Sequence, residues 1–186
     1  PVSLGPITID TQLPGEVTAA LETDTGFDPN DGISKEGKVL VSVSEPDAKV
    51  EYQVNGGEWT VVEDGEFTLP EGTHDVVNVR QTDVAGNVGP VVNIGPITVD
   101  NAAPAQPTAV LADDTGDNDT DKITQNGEIL VTPAEAGNQL EYQIGNDGPW
   151  TTIVDGPFTL TEGIYAIVNV RETDAAGNST TPVHIG

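Results

Sequence analysis

The sequence predicts an all-β protein of two tandem antiparallel sandwiches joined end to end. Two observations carry this. Apolar and polar residues alternate along short runs, with no helical apolar stripe anywhere. The chain is also written twice, and turn residues punctuate both copies at the spacing of about 8–12 residues that short-stranded sandwiches show.

The alternation comes first. Val39, Val41 and Val43 fall at every second position, and Val50, Tyr52 and Val54 alternate with Glu51 and Gln53, as Val77 and Val79 do with Asn78 and Arg80. A period of two buries one face of a strand. Asn55-Gly56-Gly57 then reads as a tight hairpin turn.

The duplication is legible motif by motif. LGPITID at 4–10 returns as IGPITVD at 94–100, and DTG at 24–26 returns at 114–116. VEYQV at 50–54 returns as LEYQI at 140–144, DGEFTL at 64–69 as DGPFTL at 155–160, and VNVRQTD at 77–83 as VNVRETD at 168–174. The offset is about 90 residues, with one insertion in the hairpin before Trp150. A repeat this long is a whole domain rather than a solenoid unit. Residues 1–10 then read as the tail of a preceding module, 11–100 as module one, and 101–186 as module two, short of its last strand end. The chain is expected to be a piece of a longer one.

Within module one, strands are expected at 14–21, 38–44, 49–54, 59–62, 67–69, 73–82 and 91–100. Seven short strands in about 90 residues make an immunoglobulin-like antiparallel sandwich.

Charge narrows the function. The 186 residues carry 31 Asp+Glu against 6 Lys+Arg, a formal net charge of −25. Nucleic acid and anionic membranes need a basic footprint, so neither is expected as a partner. No apolar run is long enough to span a bilayer. There is no Cys, so no disulfide holds the fold, and metal ions are the alternative staple. A monomer is expected, whose partners are neighbouring modules of the same chain.

The acidity is concentrated. DDTGDNDTDKIT at 113–124 places five carboxylates within nine residues. Two bare carboxylates about 5 Å apart repel by roughly 3 kcal/mol at an effective dielectric near 20. Such a stretch is either a solvated turn or the seat of a cation. Alternating strand direction puts the loop at 24–31, the corner at 70–72 and the end of the last strand at one pole of the module, and the loop at 83–87 at the other. Stacking two modules then brings together Asp24, Asp28, Asp31, Glu71 and Asp100 with Asp174 and Asn178. The same logic groups Asp10 with Asp83 and Asn87, and Asp114, Asp117, Asp119 and Asp121 with Glu162. Five or six oxygen donors from separate segments suit Ca²⁺, which takes 6–8 oxygens, better than Mg²⁺, zinc or copper. Solvated turns are the competing reading. Matched positions in both copies favour ligands at Asp24, Asp31, Asp83, Asp100, Asp114, Asp121 and Asp174, whereas Asp28 has Asn118 as counterpart and Asp117 and Asp119 are local extras. Asp117, Asp119, Asp121 and Glu128 match EF-hand spacing, but Lys122 stands where that loop needs Gly, so the match is rejected.

No other residues suggest chemistry. His74 and His184 read as surface histidines, and no Ser or Thr sits in a nucleophile elbow or triad. Trp59 and Trp150 read as packing residues, Tyr52 and Tyr142 as core, and Arg80–Glu51 and Arg171–Glu141 as exposed ion pairs. An enzyme is not expected.

Taken together, the motifs GPITVD, DTG, EYQ, FTL, VRQTD and AGN, in this order, resemble the tandem Ig-like extender modules of giant bacterial surface adhesins, including the RTX adhesins. The resemblance covers the whole chain. It implies secretion to the bacterial cell surface, long repeat arrays, calcium at module junctions, and a spacer role that projects a ligand-binding tip. A sugar- or protein-binding module on the same fold is the alternative, and an accessory domain of an enzyme is a third.

Overall fold

The structure, a computed structural model, describes residues 5–154 and 156–185. Leu4, Asp155 and Gly186, which enter the repeat comparison, lie outside them. The described residues form strands and turns and hold no helix. The chain divides into two compact units, Pro1–Asp100 and Asn101–Gly186.

In the first unit, the longest pairing joins β4 (Lys49–Val54) to β8 (Val77–Thr82) antiparallel, with Tyr52 opposite Val79 and Glu51 opposite Arg80. β5 (Thr60–Val61) and β9 (Val92–Asn93) flank them, giving the order β5-β4-β8-β9. A second sheet orders β1 (Thr18–Leu21), β3 (Lys38–Ser42) and β6 (Glu66–Thr68) as β1-β3-β6. The core between them is the inward half of each alternation: Val39 and Val41, Val50, Phe67, Val77 and Val79. Tyr52 joins it by stacking on Phe67, ring centroids 4.0 Å apart. A third sheet, β2-β10-β7, closes one end of the unit. There β10 (Ile97–Val99) lies parallel to β2 (Ile33–Ser34) and antiparallel to β7 (Gly72–His74). Ile97 and Val99 of β10 complete the core, beside the buried Leu69.

Two expected strands are therefore broken. The run 73–82 divides into β7 and β8, and 91–100 into β9 and β10, because β8 and β9 belong to the four-stranded sheet and β7 and β10 to the third. Both breaks meet at Gly95, whose peptide bond to Pro96 is cis. A Cβ there would stand 2.8 Å from the Asp75 carbonyl oxygen, so only glycine lets the two chain reversals pack together. β2, which the sequence did not suggest, exists only through its pairing with β10.

The second unit repeats the two larger sheets. β11 (Thr108–Leu111), β12 (Glu128–Thr132) and β15 (Phe158–Thr159) run in the order β11-β12-β15. β14 (Thr151–Ile153), β13 (Gln139–Ile144), β16 (Val168–Thr173) and β17 (Val183–Ile185) run in the order β14-β13-β16-β17. Ile129, Val131, Leu140, Ile153 and Val170 form its core, and Tyr142 stacks on Phe158 at 4.2 Å. The third sheet has no counterpart among the described residues.

Each unit also buries a polar node fully on its long strand. In the first it is Gln81, which donates to the Gly15 carbonyl and to Ser44 Oγ, and accepts from Ser44 N at 3.3 Å. In the second the matched residue is Glu172, whose carboxylate accepts from Ala134 N at 2.7 Å, Glu135 N at 3.0 Å and Asn138 Nδ2 at 2.9 Å. Both nodes tie the chain after β3 or β12 to the long β8 or β16 strand.

Two expectations are corrected. His74 is not a surface residue: it is 6% exposed, and its Nε2 bonds the Pro70 carbonyl at 2.8 Å. The Arg80–Glu51 pair is not an exposed one either. Glu51 is 8% exposed and is held by Lys49 Nζ at 2.6 Å and Arg80 at 3.0 Å, while the Arg80 guanidinium lies 3.9 Å over the Trp59 ring. The same stack recurs with Arg171, Glu141 and Trp150. The aromatic face shields the guanidinium from water, which makes the pair stronger than an open surface pair. Both tryptophans are thereby packing residues.

Leu69→Ala is expected to destabilise the first unit by about 2–5 kcal/mol, because Leu69 is buried against the closing strand. Urea denaturation followed by tryptophan fluorescence reads the loss.

Candidate metal-binding loops

The two acidic loops share one scaffold of hydrogen bonds. In the first unit Asp24 Oδ2 accepts from Gly32 N at 3.0 Å, Asp28 Oδ1 from Asn30 N at 3.0 Å, and Asp31 Oδ1 from Ile33 N at 2.8 Å. In the second, Asp114 Oδ2 accepts from Lys122 N at 2.8 Å, Asn118 Oδ1 from Thr120 N at 3.2 Å, and Asp121 Oδ1 from Ile123 N at 3.0 Å. A carboxylate or amide that caps a backbone N–H two residues on lets a short acidic loop turn sharply. A hydroxyl pair pins each loop base. Ser34 Oγ donates to the Thr23 carbonyl and lies 3.3 Å from Thr25 Oγ1, and Thr124 and Thr115 repeat this. Sequence reasoning passed over this hydroxyl pair. Its signal was the exchange of Ser34 for Thr124, which keeps an OH at one position in both copies.

One atom of each loop is left over. Asp24 Oδ1 and Asp114 Oδ1 are buried and meet no hydrogen-bond donor. A buried acceptor without a donor costs about 1–3 kcal/mol, more when charged, and here it recurs at matched positions of the two loops. The donor set is all oxygen, which suits Ca²⁺. Even so, among the described residues no three His, Cys, Asp or Glu side chains converge into a ready-made metal group.

The other predicted residues fall into three places. Asp83, Asn87 and Asp10 do come together: Asn87 Nδ2 donates to Asp83 Oδ2 at 2.8 Å and to the Asp10 carbonyl at 3.2 Å. Asp83 Oδ1 further accepts from Ala85 N and Asn87 N, so this carboxylate holds its own loop. Asp174 and Asn178 repeat the arrangement at 3.0 Å and 2.8 Å. Asp100 follows β10, its N–H bonded to the Ser34 carbonyl at 2.9 Å. That bond sets Asp100 beside the strand that leaves the Asp24–Asp31 loop. Glu71 and Glu162 stand exposed.

No protein-family model matches the chain, and no curated protein matches it either.

The Asn87 side chain, followed by the backbone N–H groups of residues 85–87, holds the Asp83 carboxyl below its ordinary value. A carboxyl depressed in the folded state adds stability that is present above its unfolded pKa, near 3.9, and lost as pH falls through the lower folded value. Asn87→Ala is expected to raise the Asp83 pKa and to move that loss to higher pH. A carboxyl-carbon NMR titration of Asp83 reads the shift.

Proposed function

We propose that the chain is a structural spacer segment of a bacterial cell-surface adhesin. In this reading the units are tandem immunoglobulin-like extender modules, secreted with the parent protein, and Ca²⁺ held by their terminal loops stiffens the array so that a ligand-binding tip is projected from the cell. The sheet orders β1-β3-β6 and β5-β4-β8-β9 support the immunoglobulin-like assignment, since they follow the division of that fold into two facing sheets. The observation that carries the calcium reading is the buried, donorless Oδ1 of both Asp24 and Asp114, in loops whose hydrogen bonds match bond for bond.

In the first unit Asp24, Asp28, Asp31, Glu71 and Asp100 supply oxygens, and in the second unit Asp174 and Asn178 do. Asp10, Asp83 and Asn87, and Asp114 and Asp121 with Glu162, do the same at the remaining loops. The bound cation supplies positive charge to carboxylates that otherwise repel. The residues themselves shape the loops through their caps and hydroxyl pairs, which lowers the ordering cost of binding. The partners in this role are neighbouring modules of the same chain, and no catalytic step is assigned to any residue. The Arg80–Trp59 and Arg171–Trp150 stacks cover the rings on one face, which weighs against a sugar platform there.

Extracellular calcium modules bind at about 10⁻⁴–10⁻³ M, and a 100-fold excess over the dissociation constant adds about 2.7 kcal/mol per site. For a domain of this size, that raises Tm by about 10–20 °C. Calcium titration with thermal melting and small-angle scattering is expected to show this rise and a more extended particle, neither with Mg²⁺ nor with EDTA. Asp100→Ala is expected to weaken both responses. Melting and scattering profiles indifferent to calcium would make the loops solvated turns, and would turn attention to a sugar- or protein-binding role.

A further inference from the structure

Two stretches of the second unit carry the pattern Asn-x-Ser/Thr, at which an asparagine amide accepts a sugar: Asn118-Asp119-Thr120 and Asn178-Ser179-Thr180. The pattern works as an acceptor where it lies on an accessible loop, so the fold decides between the two. The first unit has neither. Asp28 stands at the position matched to Asn118, and Asn87-Val88-Gly89 at that matched to 178–180.

The stretch at 178–180 is closed. Asn178 Nδ2 donates to Asp174 Oδ2 at 3.0 Å, and Ser179 Oγ lies 2.8 Å from Thr173 Oγ1. Thr180 is 5% exposed, and its hydroxyl oxygen accepts from Glu172 N at 3.1 Å. All three side chains are thus engaged within the fold. The stretch at 118–120 is open. Asn118, Asp119 and Thr120 are all exposed, in the loop between β11 and β12. Asn118 Oδ1 accepts from Thr120 N at 3.2 Å and from Thr120 Oγ1 at 2.9 Å. These bonds use the amide oxygen and set the hydroxyl against it, while the reacting group of the amide, Nδ2, is not drawn into them.

We propose that Asn118 is an acceptor site for an N-linked sugar, transferred by a glycosyltransferase from a diphosphate-activated carrier. Asn118 Nδ2 attacks the anomeric carbon of the sugar. The new bond from nitrogen to that carbon forms as the bond from the carbon to the diphosphate oxygen breaks. The diphosphate leaves with the electron pair, and one Nδ2 proton passes to a base of the transferase. Donation from Thr120 to Oδ1 draws electron density toward the amide oxygen, which makes that proton easier to remove. The linkage consumes one Nδ2–H and no bond to Oδ1, so both bonds from Thr120 persist and the loop keeps its turn. The sugar stands on one repeat only, at the place where the first unit has an aspartate. This goes beyond the spacer reading and does not depend on calcium.

The folded full chain, incubated in one arm with a soluble N-glycosyltransferase and a nucleoside-diphosphate hexose, and in another with a membrane oligosaccharyltransferase and a lipid-diphosphate oligosaccharide, tests it. Peptide mass spectrometry locates the sugar. A tryptic digest, which frees 81–122 and 172–186 from the fold, is treated alongside. Sugar is expected on Asn118 and not on Asn178 in the folded chain, in at least one arm, and on both asparagines in the digest under the same arm. The arm that works identifies the carrier. Thr120→Ser is expected to keep the modification, and Thr120→Val and Asn118→Gln to abolish it. These exposed positions change stability little, and circular dichroism checks that each variant folds. A folded chain unmodified in both arms overturns the proposal, as does sugar on Asn178 of the folded chain or modification that survives Thr120→Val. A digest modified at Asn118 alone overturns the fold as the selector between the two stretches.

Discussion

Closure of the first unit depends on one three-residue strand. Ile97–Val99 pairs on both sides, parallel to Ile33–Ser34 and antiparallel to Gly72–His74, and its two apolar side chains cap the core. Neither flank has another partner in that sheet, so both take strand form only because the third is there. The second unit shows the same sequence elements without that strand: its flanks are irregular and its core residue Leu160 is only partly buried. The comparison within one chain isolates what a few backbone hydrogen bonds and two buried side chains do for an end of a sandwich. A short edge strand is marginal by itself and becomes ordered when a neighbour supplies its hydrogen-bonding partners.

The second constraint is charge. Basic residues are few, and Lys38, Lys49, Arg80 and Arg171 act at short range in ion pairs. Lys38 of β3 bridges Glu22, just past β1, and Glu66 of β6, and Lys49 and Arg80 hold Glu51 between them. The bond from Lys49, ahead of that from Arg80, keeps the Glu51 carboxyl below its ordinary range. Seven aspartates of the loops are held by the backbone: Asp24, Asp28, Asp31, Asp83, Asp114, Asp121 and Asp174 take N–H donors from their own loops. Among the buried side-chain oxygens of the described residues, Asp24 Oδ1 and Asp114 Oδ1 are left without a donor.

The parts of the fold legible in the sequence were those set by local alternation. VEYQV and VNVRQTD predicted the central β4–β8 pair, and the boundary at 100 follows the repeat. What escaped was non-local. β2 is two residues long and is specified by a strand far along the chain, so no local pattern marks it. The division of 73–82 and 91–100 into separate strands comes from the chain changing sheets at Asp75 and Gly95, which alternation alone continues straight through. Among the site residues, the meeting of Asp10, Asp83 and Asn87 was readable because alternating strand direction puts the 83–87 loop at the pole where the chain enters the module. The burial of His74 and of the Glu51 pair was not, because it depends on Pro70 and Trp59 folding back over them.

The paired nodes Gln81 and Glu172 make the two repeats chemically different at one buried point, and recombination between repeats has to respect it. A crossover that joined the Ala134–Asn138 segment to the later half of the first repeat would set a glutamine amide against two backbone N–H donors and leave one of them unanswered. The reciprocal product would set a carboxylate against the Gly15 carbonyl, two acceptors facing each other. Each hybrid would carry a buried polar mismatch worth about 1–3 kcal/mol, although every strand in it would be native. The two repeats are therefore exchangeable as whole domains and not piecewise, and a single buried side chain sets where a seam between them can fall.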